Sequence, residues 1–389
     1  MTMAKNGDVV LITGGSGFLG QHIVKHLQEN DDDVKEIRII DLKPYRNNLK
    51  HTETKPIKTI VGDICDTEAI EEVFDNVDVV FHCAAFINFQ FPPNVDELER
   101  VNVNGTKNII NLCIKHNVPR LIYTSSASVT LTSYLGLAPF AVVVNLTESK
   151  TKQVTSDKDI LIPGYSVTKH RAEKIVLGAN GTNLANGTGE LITTSIRPTV
   201  LYGEEDPYFF PTLAKITKKT GGIIPKVLGA GGKHQMTYVG NAAWAHIRAK
   251  ETLKNASKNI AGLPVFVTDD TPIEDTSRFC QRMSRRTDAF NIRPTSWSLP
   301  SLLGYWLAIL LEIIISMLNP IFGTKLNFQP RALAAYAGSL LQYSRLRAEL
   351  HMDYEPLYNE ERSLDDSVKW YAKWYKSYFN KDNTSKKAE

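Results

Sequence analysis

The chain has 389 residues, of which 42% are hydrophobic and 22% are charged, and its formal net charge is +3. That length allows one large domain with additions or two domains, and the small charge gives no sign of nucleic-acid binding. The four cysteines share neither metal-ligand nor disulfide spacing, so we expect reduced thiols and no metal site. No apolar signal segment precedes the first predicted strand, and we therefore expect the catalytic part on the cytosolic side of any membrane.

The first predicted elements are a strand, a glycine turn and a helix. Val9–Ile12 is a short apolar run rich in β-branched residues, which is typical of a buried parallel strand. Glycines at three-residue spacing follow, and apolar residues then recur at helical spacing as far as Glu29. A second strand, Glu36–Ile40, is followed by Asp41. This order indicates a dinucleotide-binding βαβ unit, and the alternative is a glycine turn without a ligand.

The glycines of this turn suit a cofactor for different physical reasons. Gly14 permits a tight turn, Gly17 lets a pyrophosphate approach bare backbone, and Gly20 lets the helix pack closely against the sheet. The helix begins at Phe18 and Leu19, where unpaired N–H groups are available to the phosphates. We therefore predict that all of these residues lie against the cofactor.

The acidic residue after the second strand predicts which dinucleotide binds. Asp41 would accept hydrogen bonds from the adenosine ribose hydroxyls, and its charge would repel a 2′-phosphate. Lys43 and Arg46 lie just beyond Asp41 and are the residues that could hold such a phosphate instead. The sequence therefore favours NAD over NADP as the cofactor.

Strand and helix signals then alternate along the chain. Further strands are predicted at Thr59–Asp63, Asp78–Ala85, Arg120–Ser126 and Glu190–Val200, and helices at Leu98–Asn117 and Tyr165–Leu177. Such alternation predicts an α/β fold, a Rossmann-type doubly wound parallel sheet whose ligands lie at the carboxyl ends of the strands, with a smaller C-terminal substrate lobe. Further residues expected near the cofactor are Asp63, Ile64, Ala84, Ala85, Asn102 and Pro198.

A phenol and an ammonium group lie one helical turn apart at Tyr165 and Lys169, so both side chains share a helix face. Tyrosine titrates near 10 and is a poor base at neutral pH, but a neighbouring cation favours the phenolate. We predict that Tyr165 removes the proton of a substrate hydroxyl while hydride leaves, and that Lys169 lowers its pKa and holds the nicotinamide ribose. Ser126 would hydrogen-bond the reacting oxygen. The alternative is an exposed helix face, but the position after a cofactor unit favours catalysis.

A hydrophobic block spans Leu299–Phe322, and about 20 such residues can cross a bilayer. A buried helix is the alternative. Glu312 is costly in lipid unless it is paired or lies near the interface. Basic residues lie on both flanks, so charge sets no orientation. If the following helix, Leu364–Phe379, docks on the catalytic fold, both flanks of the block lie on one side, which favours a monotopic or re-entrant insertion over a simple span.

Several motifs together resemble the extended short-chain dehydrogenase/reductase superfamily over roughly residues 8 to 270: TGGSGFLG, VNVNGT, YTSSASV, YSVTK and RPTVLYG. YVGNAAWAHI and the pair Asp269-Asp270 before Thr-Pro are similar to the 3β-hydroxysteroid dehydrogenase/Δ5–Δ4 isomerase family. The resemblance implies NAD-dependent oxidation of the 3β-hydroxyl of a steroid or sterol, followed in two-activity members by a shift of the ring double bond.

One departure from the family pattern concerns the isomerase step. The isomerising members carry a tyrosine in the strand before the paired aspartates, whereas the corresponding strand here, Pro264–Thr268, has no phenol. Asp269 or Asp270 could still move a proton, but paired aspartates before Thr-Pro are also a helix-start signal, and we favour that structural role.

The sequence predicts five regions. Residues 1–270 form the NAD-binding catalytic domain with part of the substrate lobe, 271–298 a basic lobe or linker, 299–322 the membrane-associated segment, 323–380 an element that packs back, and 381–389 a disordered tail. The expected partners are a lipophilic steroid or sterol and a membrane, with a homodimer as a further expectation. An endoplasmic reticulum membrane is favoured, with a mitochondrial membrane as the alternative.

Two other functions fit the same motifs. One is a sterol-4α-carboxylate 3-dehydrogenase, which uses the same tyrosine and lysine and loses CO₂ after the ketone forms; a cationic pocket would favour it. The other is a catalytically idle NAD-binding membrane adaptor. The presence of Ser126, Tyr165 and Lys169 argues against the adaptor, because an idle site has no chemical need of them.

Overall fold

A computed structural model describes residues 7–133, 140–228 and 232–385. The strands are β1 Asp8–Thr13, β2 Val34–Asp41, β3 Ile57–Val61, β4 Val79–His82, β5 Arg120–Thr124, β6 Val142–Leu146, β7 Thr182–Asn183, β8 Glu190–Pro198, β9 Val200–Tyr202, β10 Ile223–Leu228, β11 Lys233–His234, β12 Met236–Tyr238, β13 Pro264–Val267, β14 Arg293–Pro300 and β15 Leu340–Tyr343. The helices are α1 Phe18–Glu29, α2 Thr67–Ile70, α3 Val95–Leu98, α4 Thr106–Lys115, α5 Tyr165–Gly178, α6 Phe209–Lys219, α7 Val239–Asn255, α8 Thr276–Ser284, α9 Ser301–Phe322, α10 Pro330–Gly338, α11 Leu346–Met352 and α12 Glu360–Ser385.

The central sheet confirms the predicted doubly wound fold. Its parallel strands have the order β13-β8-β5-β4-β1-β2-β3, and β7 pairs antiparallel with β8. Val10 and Ile12 of β1 pack into one core together with α1 and α7, whereas Val9 and Leu11 pack into a second core together with α4 and α5. Alternate residues therefore meet helices on both faces, which is why the strand is apolar throughout. The strand order reverses between β1 and β4, the position where such sheets bind ligands.

Shorter sheets extend the molecule beyond this core. Parallel pairing joins β6, β15 and β11, and further pairs are β9 with β12 and β10 with β14. The predicted strand Glu190–Val200 is therefore divided, because β8 ends at Pro198 in the central sheet and β9 begins at Val200 in another. The predicted strand Thr59–Asp63 is displaced by two residues, so Asp63 lies beyond the end of β3.

Two helix predictions need correction. The continuous helix expected at Leu98–Asn117 is interrupted by a wider helical segment, Glu99–Gly105, between α3 and α4. At its end the hydroxyl of Thr106 donates to the carbonyl of Asn102 at 2.6 Å. The helix start expected at Asp269-Asp270 is also wrong, because α8 begins at Thr276 and the carboxylate of Asp275 accepts from the backbone N–H of Arg278.

The hydrophobic helix α9 lies against α10 along a narrow stripe. Ala308, Glu312 and Ile315 are the buried residues of α9, and they recur at helical spacing on one face. The Glu312 carboxylate accepts from the backbone N–H of Arg331 at 2.9 Å and forms an ion pair with its guanidinium group. A carboxylate at the first turn of α10 is favourable, because unpaired N–H groups point toward it. Glu312 is therefore paired, as its position in an apolar helix requires.

The last helix, α12, packs on the catalytic fold. The Tyr371 ring stacks on Phe210 of α6 with centroids 4.2 Å apart. Its buried hydroxyl donates to Asp206 at 2.9 Å and accepts from the backbone N–H of Gly203 at 3.0 Å. The helix begins at Glu360, four residues before the predicted start. Residues far apart in the chain thus share one buried polar contact.

Removing the Tyr371 hydroxyl tests this contact. We expect Tyr371→Phe to lower the free energy of unfolding by about 1–3 kcal/mol, because Asp206 and the Gly203 N–H lose a buried partner. Urea denaturation followed by circular dichroism measures the change. The matched control is Tyr378→Phe, which alters an exposed tyrosine of the same helix and should change stability by less than about 0.5 kcal/mol. Equal effects of the two substitutions would contradict the assigned role.

Candidate active site

The glycine turn between β1 and α1 has no room for a side chain at Gly14 or Gly20. Gly14 has φ +75°, and a Cβ atom there would lie 2.8 Å from the Ala84 nitrogen. A Cβ atom on Gly20 would lie 2.3 Å from the Gly14 carbonyl oxygen. Gly17 precedes the first turn of α1, where Phe18 and Leu19 begin the helix. The turn thus offers bare backbone and a helix N-terminus, which suits a pyrophosphate.

Asp41 is held beside this turn at the end of β2. Its carboxylate accepts from the backbone N–H of Ser16 at 3.0 Å and from that of Lys43 at 3.1 Å. The hydroxyl of Ser16 in turn donates to the Lys43 carbonyl at 3.0 Å. A fixed negative charge at this position suits the ribose hydroxyls of NAD and disfavours a 2′-phosphate.

Asn102 ties the loop after β4 to α5. The backbone N–H of Phe86 donates to the Asn102 side chain at 2.8 Å, and the same side chain donates to the Phe86 carbonyl at 3.1 Å. It also donates to the hydroxyl of Thr168 at 3.1 Å. These bonds occupy the buried amide group, so Asn102 shapes the loop that includes Ala84 and Ala85.

The other predicted cofactor residues lie at neighbouring strand ends. Asp63 accepts from the backbone N–H of Cys65 and pairs with Arg100, both at 2.9 Å. Burial acts to raise the pKa of this carboxyl, but the two donors hold it below its ordinary value. Ile64 is buried, and Pro198 is the buried last residue of β8.

Lys169 and Tyr165 both lie on the first turns of α5 and face the end of β5. The Lys169 ammonium donates to the Thr124 carbonyl at 2.5 Å and lies 4.1 Å from the centroid of the Tyr123 ring. Burial lowers the pKa of Lys169 to about 7. Burial, and then Tyr208, raise the pKa of the Tyr165 phenol. We predicted that Lys169 lowers the pKa of Tyr165. In this arrangement of side chains the pKa of Tyr165 is instead raised.

Ser126 is linked to the catalytic helix by a short chain of hydroxyls. The Ser126 and Ser128 hydroxyl oxygens lie 2.9 Å apart, and the hydroxyl of Ser166 donates to that of Ser128 at 2.8 Å. Ser166 directly follows Tyr165. The carboxyl end of β5 and the N-terminus of α5 are thus fastened together, and Ser126, Tyr165 and Lys169 share one edge of the sheet.

Sequence reasoning missed the polar groups that support this edge. Glu173 accepts from Arg197 at 2.6 Å and from the Ser195 hydroxyl at 2.6 Å. Burial acts to raise the pKa of Glu173, and Arg197 holds it below the ordinary value. The signal was present, because Glu173 follows Lys169 by one helical turn.

A buried histidine supports the cofactor side of the sheet and was also missed. The Nδ1 atom of His82 lies 2.7 Å from the hydroxyl of Thr13, and its Nε2 atom lies 2.9 Å from that of Thr106. Burial lowers the pKa of His82 to about 3, so the ring is neutral at physiological pH. This network joins β1, β4 and α4 just below the glycine turn.

The fold and the site define the class of protein. A doubly wound sheet with a glycine turn, an acidic residue at the end of β2 and a tyrosine–lysine pair is that of an NAD-dependent oxidoreductase of the extended short-chain dehydrogenase type. The chain belongs to the 3-beta hydroxysteroid dehydrogenase/isomerase family, whose sequence model matches residues 11–301. This confirms the family that the motifs indicate.

Solved structures with a similar fold include a protein bound to UDP-glucuronic acid and NAD, a dTDP-glucose 4,6-dehydratase and an epimerase. MoeE5, in complex with UDP-glucuronic acid and NAD, is 18% identical with a TM-score of 0.64, and the match covers 94% of this chain and 99% of that one. The dTDP-glucose 4,6-dehydratase from Bacillus anthracis, in complex with NAD, is 18% identical with a TM-score of 0.61, covering 94% and 97%. Epimerase Mth375 from Methanothermobacter thermautotrophicus is 18% identical with a TM-score of 0.65, covering 95% and 93%. At such identities the likeness shows the fold.

A methyl group at the glycine turn tests the cofactor site. We expect Gly20→Ala to weaken NADH binding more than about tenfold, because the new Cβ atom would meet backbone atoms of Gly14 and Gly15. Titration of NADH fluorescence measures the dissociation constant. Gly178→Ala is the control, since a Cβ atom there has no neighbour within 4 Å, and it should bind as the wild type does. Unchanged binding by Gly20→Ala would overturn the assignment.

Proposed function

We propose that this chain is a membrane-associated, NAD-dependent 3β-hydroxysteroid dehydrogenase. The observation that carries the proposal is the fastening of the Ser126 strand end to the Tyr165 helix by Ser128 and Ser166. That contact fastens the strand end with Ser126 to the first turn of the helix with Tyr165 and Lys169, which supports a joint role for the three side chains. The family supplies the substrate class, a secondary alcohol on a steroid or sterol.

Each group has a distinct task in the proposed oxidation. Bound NAD supplies the hydride acceptor, and the Gly14–Gly20 turn and Asp41 would hold it. Ser126 donates a hydrogen bond to the substrate oxygen and orients it toward Tyr165. Tyr165, as phenolate, takes the hydroxyl proton while the carbinol hydrogen departs. Lys169 would hold the nicotinamide ribose, and in its protonated form it would favour the phenolate over the phenol.

The contacts of the paired aspartates favour dehydrogenation without isomerisation. Asp269 is buried and accepts from the Tyr238 backbone at 2.8 Å and from Asn241 at 2.9 Å, while Asp270 pairs with Arg345. The β13 strand has Phe266 and no phenol. Both carboxylates are thus engaged in holding the fold, and we assign neither a proton transfer.

The carboxysterol alternative has less support. It requires a cation free to bind the substrate carboxylate. Arg197 is committed to Glu173, and Lys169 is bonded to the Thr124 carbonyl. No observation on these two side chains favours that reaction over simple oxidation.

The exposed face of α9 supports membrane association. An 18-residue window of this 22-residue helix has a mean hydropathy of 2.0, and only 17% of that window is buried. The exposed apolar residues of α9 include Leu302, Leu303, Trp306, Leu307, Leu310, Ile313, Ile314, Met317, Ile321 and Phe322. The ion pair between Glu312 and Arg331 holds α9 against α10 on the side of the catalytic fold. Because α12 also packs on that fold, we propose a monotopic insertion, with both ends of α9 on one side.

Loss of the phenol tests the proposed chemistry. We expect Tyr165→Phe to lower kcat for oxidation of a 3β-hydroxysteroid by about 10²- to 10⁴-fold, because the proton acceptor is gone. The wild-type rate should rise with pH through the alkaline range, since burial raises the pKa of Tyr165 and the deprotonated form is the active one. NADH formation at 340 nm measures both.

Tyr378→Phe is the control for this substitution and should retain full activity. Tight NADH binding without turnover of any steroid by the wild-type enzyme would instead favour the idle adaptor. Absorbance near 240 nm in the same assay reports any enone, and we expect none from a Δ5 substrate within the period in which the ketone forms.

Protease accessibility tests the proposed topology. In sealed vesicles with the catalytic domain outside, we expect a tag after Glu389 to be digested, because α12 returns to the catalytic fold. Protection of the tag would contradict a monotopic insertion and favour a span.

Membrane binding by α9 is tested by sedimentation of membranes. The double variant Leu310→Lys/Met317→Lys should shift the protein from the membrane pellet to the supernatant, whereas Leu346→Lys/Leu350→Lys, on α11, should not.

A further inference from the structure

The segment that leaves α9 is bonded directly to a loop of the active site. The backbone N–H of Phe91 donates to the Leu326 carbonyl at 2.8 Å, and the N–H of Leu326 donates to the Phe91 carbonyl at 2.9 Å. The side chain of Gln329 donates to the Gln90 carbonyl at 3.5 Å. The linker between α9 and α10 is therefore held in place against the loop that follows β4.

The same loop carries an aromatic ring to the catalytic tyrosine. Phe89 meets Tyr165 edge to face, with ring centroids 5.4 Å apart. The loop is fixed at one end by Asn102 bonded to Phe86, and at the other by the Phe91–Leu326 pair. Phe89 lies between these two anchors and is nevertheless 39% exposed. A large ring fixed in this way, and left partly in water, is available to an apolar ligand.

Two apolar side chains and one amide group surround the N-terminus of α5. A Cβ atom on Gly164, the residue before Tyr165, would lie 3.2 Å from the Leu98 side chain, 3.5 Å from that of Pro93 and 3.5 Å from the Gln329 side-chain nitrogen. Phe89 is thus the aromatic ring beside the phenol, while Leu98 and Pro93 lie against the residue that precedes it. A sugar hydroxyl turned toward Phe89 would find no partner on that ring, whereas a fused hydrocarbon ring system needs none.

We propose that Phe89 determines substrate specificity as the apolar wall of the alcohol site, and that the site opens beside the linker from α9. The ligand class is a rigid, fused-ring lipid alcohol that contacts Phe89 while its hydroxyl reaches Tyr165. This inference rests on the proposed dehydrogenase function and deepens it. Because the linker is continuous with the membrane-associated helix, a substrate dissolved in lipid reaches the site without crossing bulk water.

Steady-state kinetics of detergent-solubilised full-length protein with a 3β-hydroxysteroid and NAD test the proposal. We expect Phe89→Ala to raise KM for the steroid about tenfold while kcat stays within twofold and KM for NAD is unchanged. Phe89→Leu keeps an apolar side chain and should restore most of the affinity. Leu350→Ala removes an exposed apolar residue of α11 and should leave every constant unchanged.

The outcomes separate this inference from the proposed function. If the wild type oxidises the steroid and Phe89→Ala has the same KM, the proposed wall is wrong while the dehydrogenase assignment stands. If KM for NAD rises as much as KM for the steroid, Phe89 merely supports the cofactor loop, and the proposal is again overturned. If the wild type oxidises no steroid, the proposed function fails first and the inference fails with it.

Discussion

The bond between the Lys169 ammonium and the Thr124 carbonyl is the constraint on which the active site depends. It joins the first turns of α5 to the last residue of β5, and so sets the position of Tyr165 relative to Ser126. The ammonium group is buried, and burial of a charge disfavours the protonated form, which lowers the pKa to about 7. The carbonyl and the face of the Tyr123 ring compensate part of that cost. Because the pKa of Lys169 is near neutral, a neighbouring charge can change its protonation state, which it could not do for a lysine in water.

A second set of contacts surrounds this bond without involving the reacting groups. The Glu173–Arg197 pair fixes α5 against β8, and the His82 bridge fixes β4 between β1 and α4. The side chains of Glu173, Arg197 and His82 are all buried. Removing one partner of such a buried pair leaves an uncompensated polar group, so these positions tolerate change less than the exposed loops do.

Local patterns predicted most of the fold and the chemical groups of the site. The helix Phe18–Glu29 has the bounds that its apolar spacing indicates, and β1, β2 and β5 are close to theirs. Periodicity reports which face of an element is buried, which explains that success. The departures arise from contacts distant in sequence. Asp269 is engaged by Asn241 and Tyr238 rather than by a helix start, and no local signal announces the pairing of Phe91 with Leu326.

The bridge between the Phe89 loop and the α9–α10 linker also has a consequence for biogenesis. Gln90 and its partner Gln329 are separated by 239 residues, so a ribosome must synthesise most of the chain before this part of the site can close. Contacts between distant segments form late, because the entropy of closing the intervening loop must be overcome first. During synthesis the hydrophobic helix emerges before that bridge exists. A nascent chain would therefore remain without the finished Phe89 loop until the hydrophobic helix α9 has left the exit tunnel, so this part of the candidate site closes only after that helix has emerged.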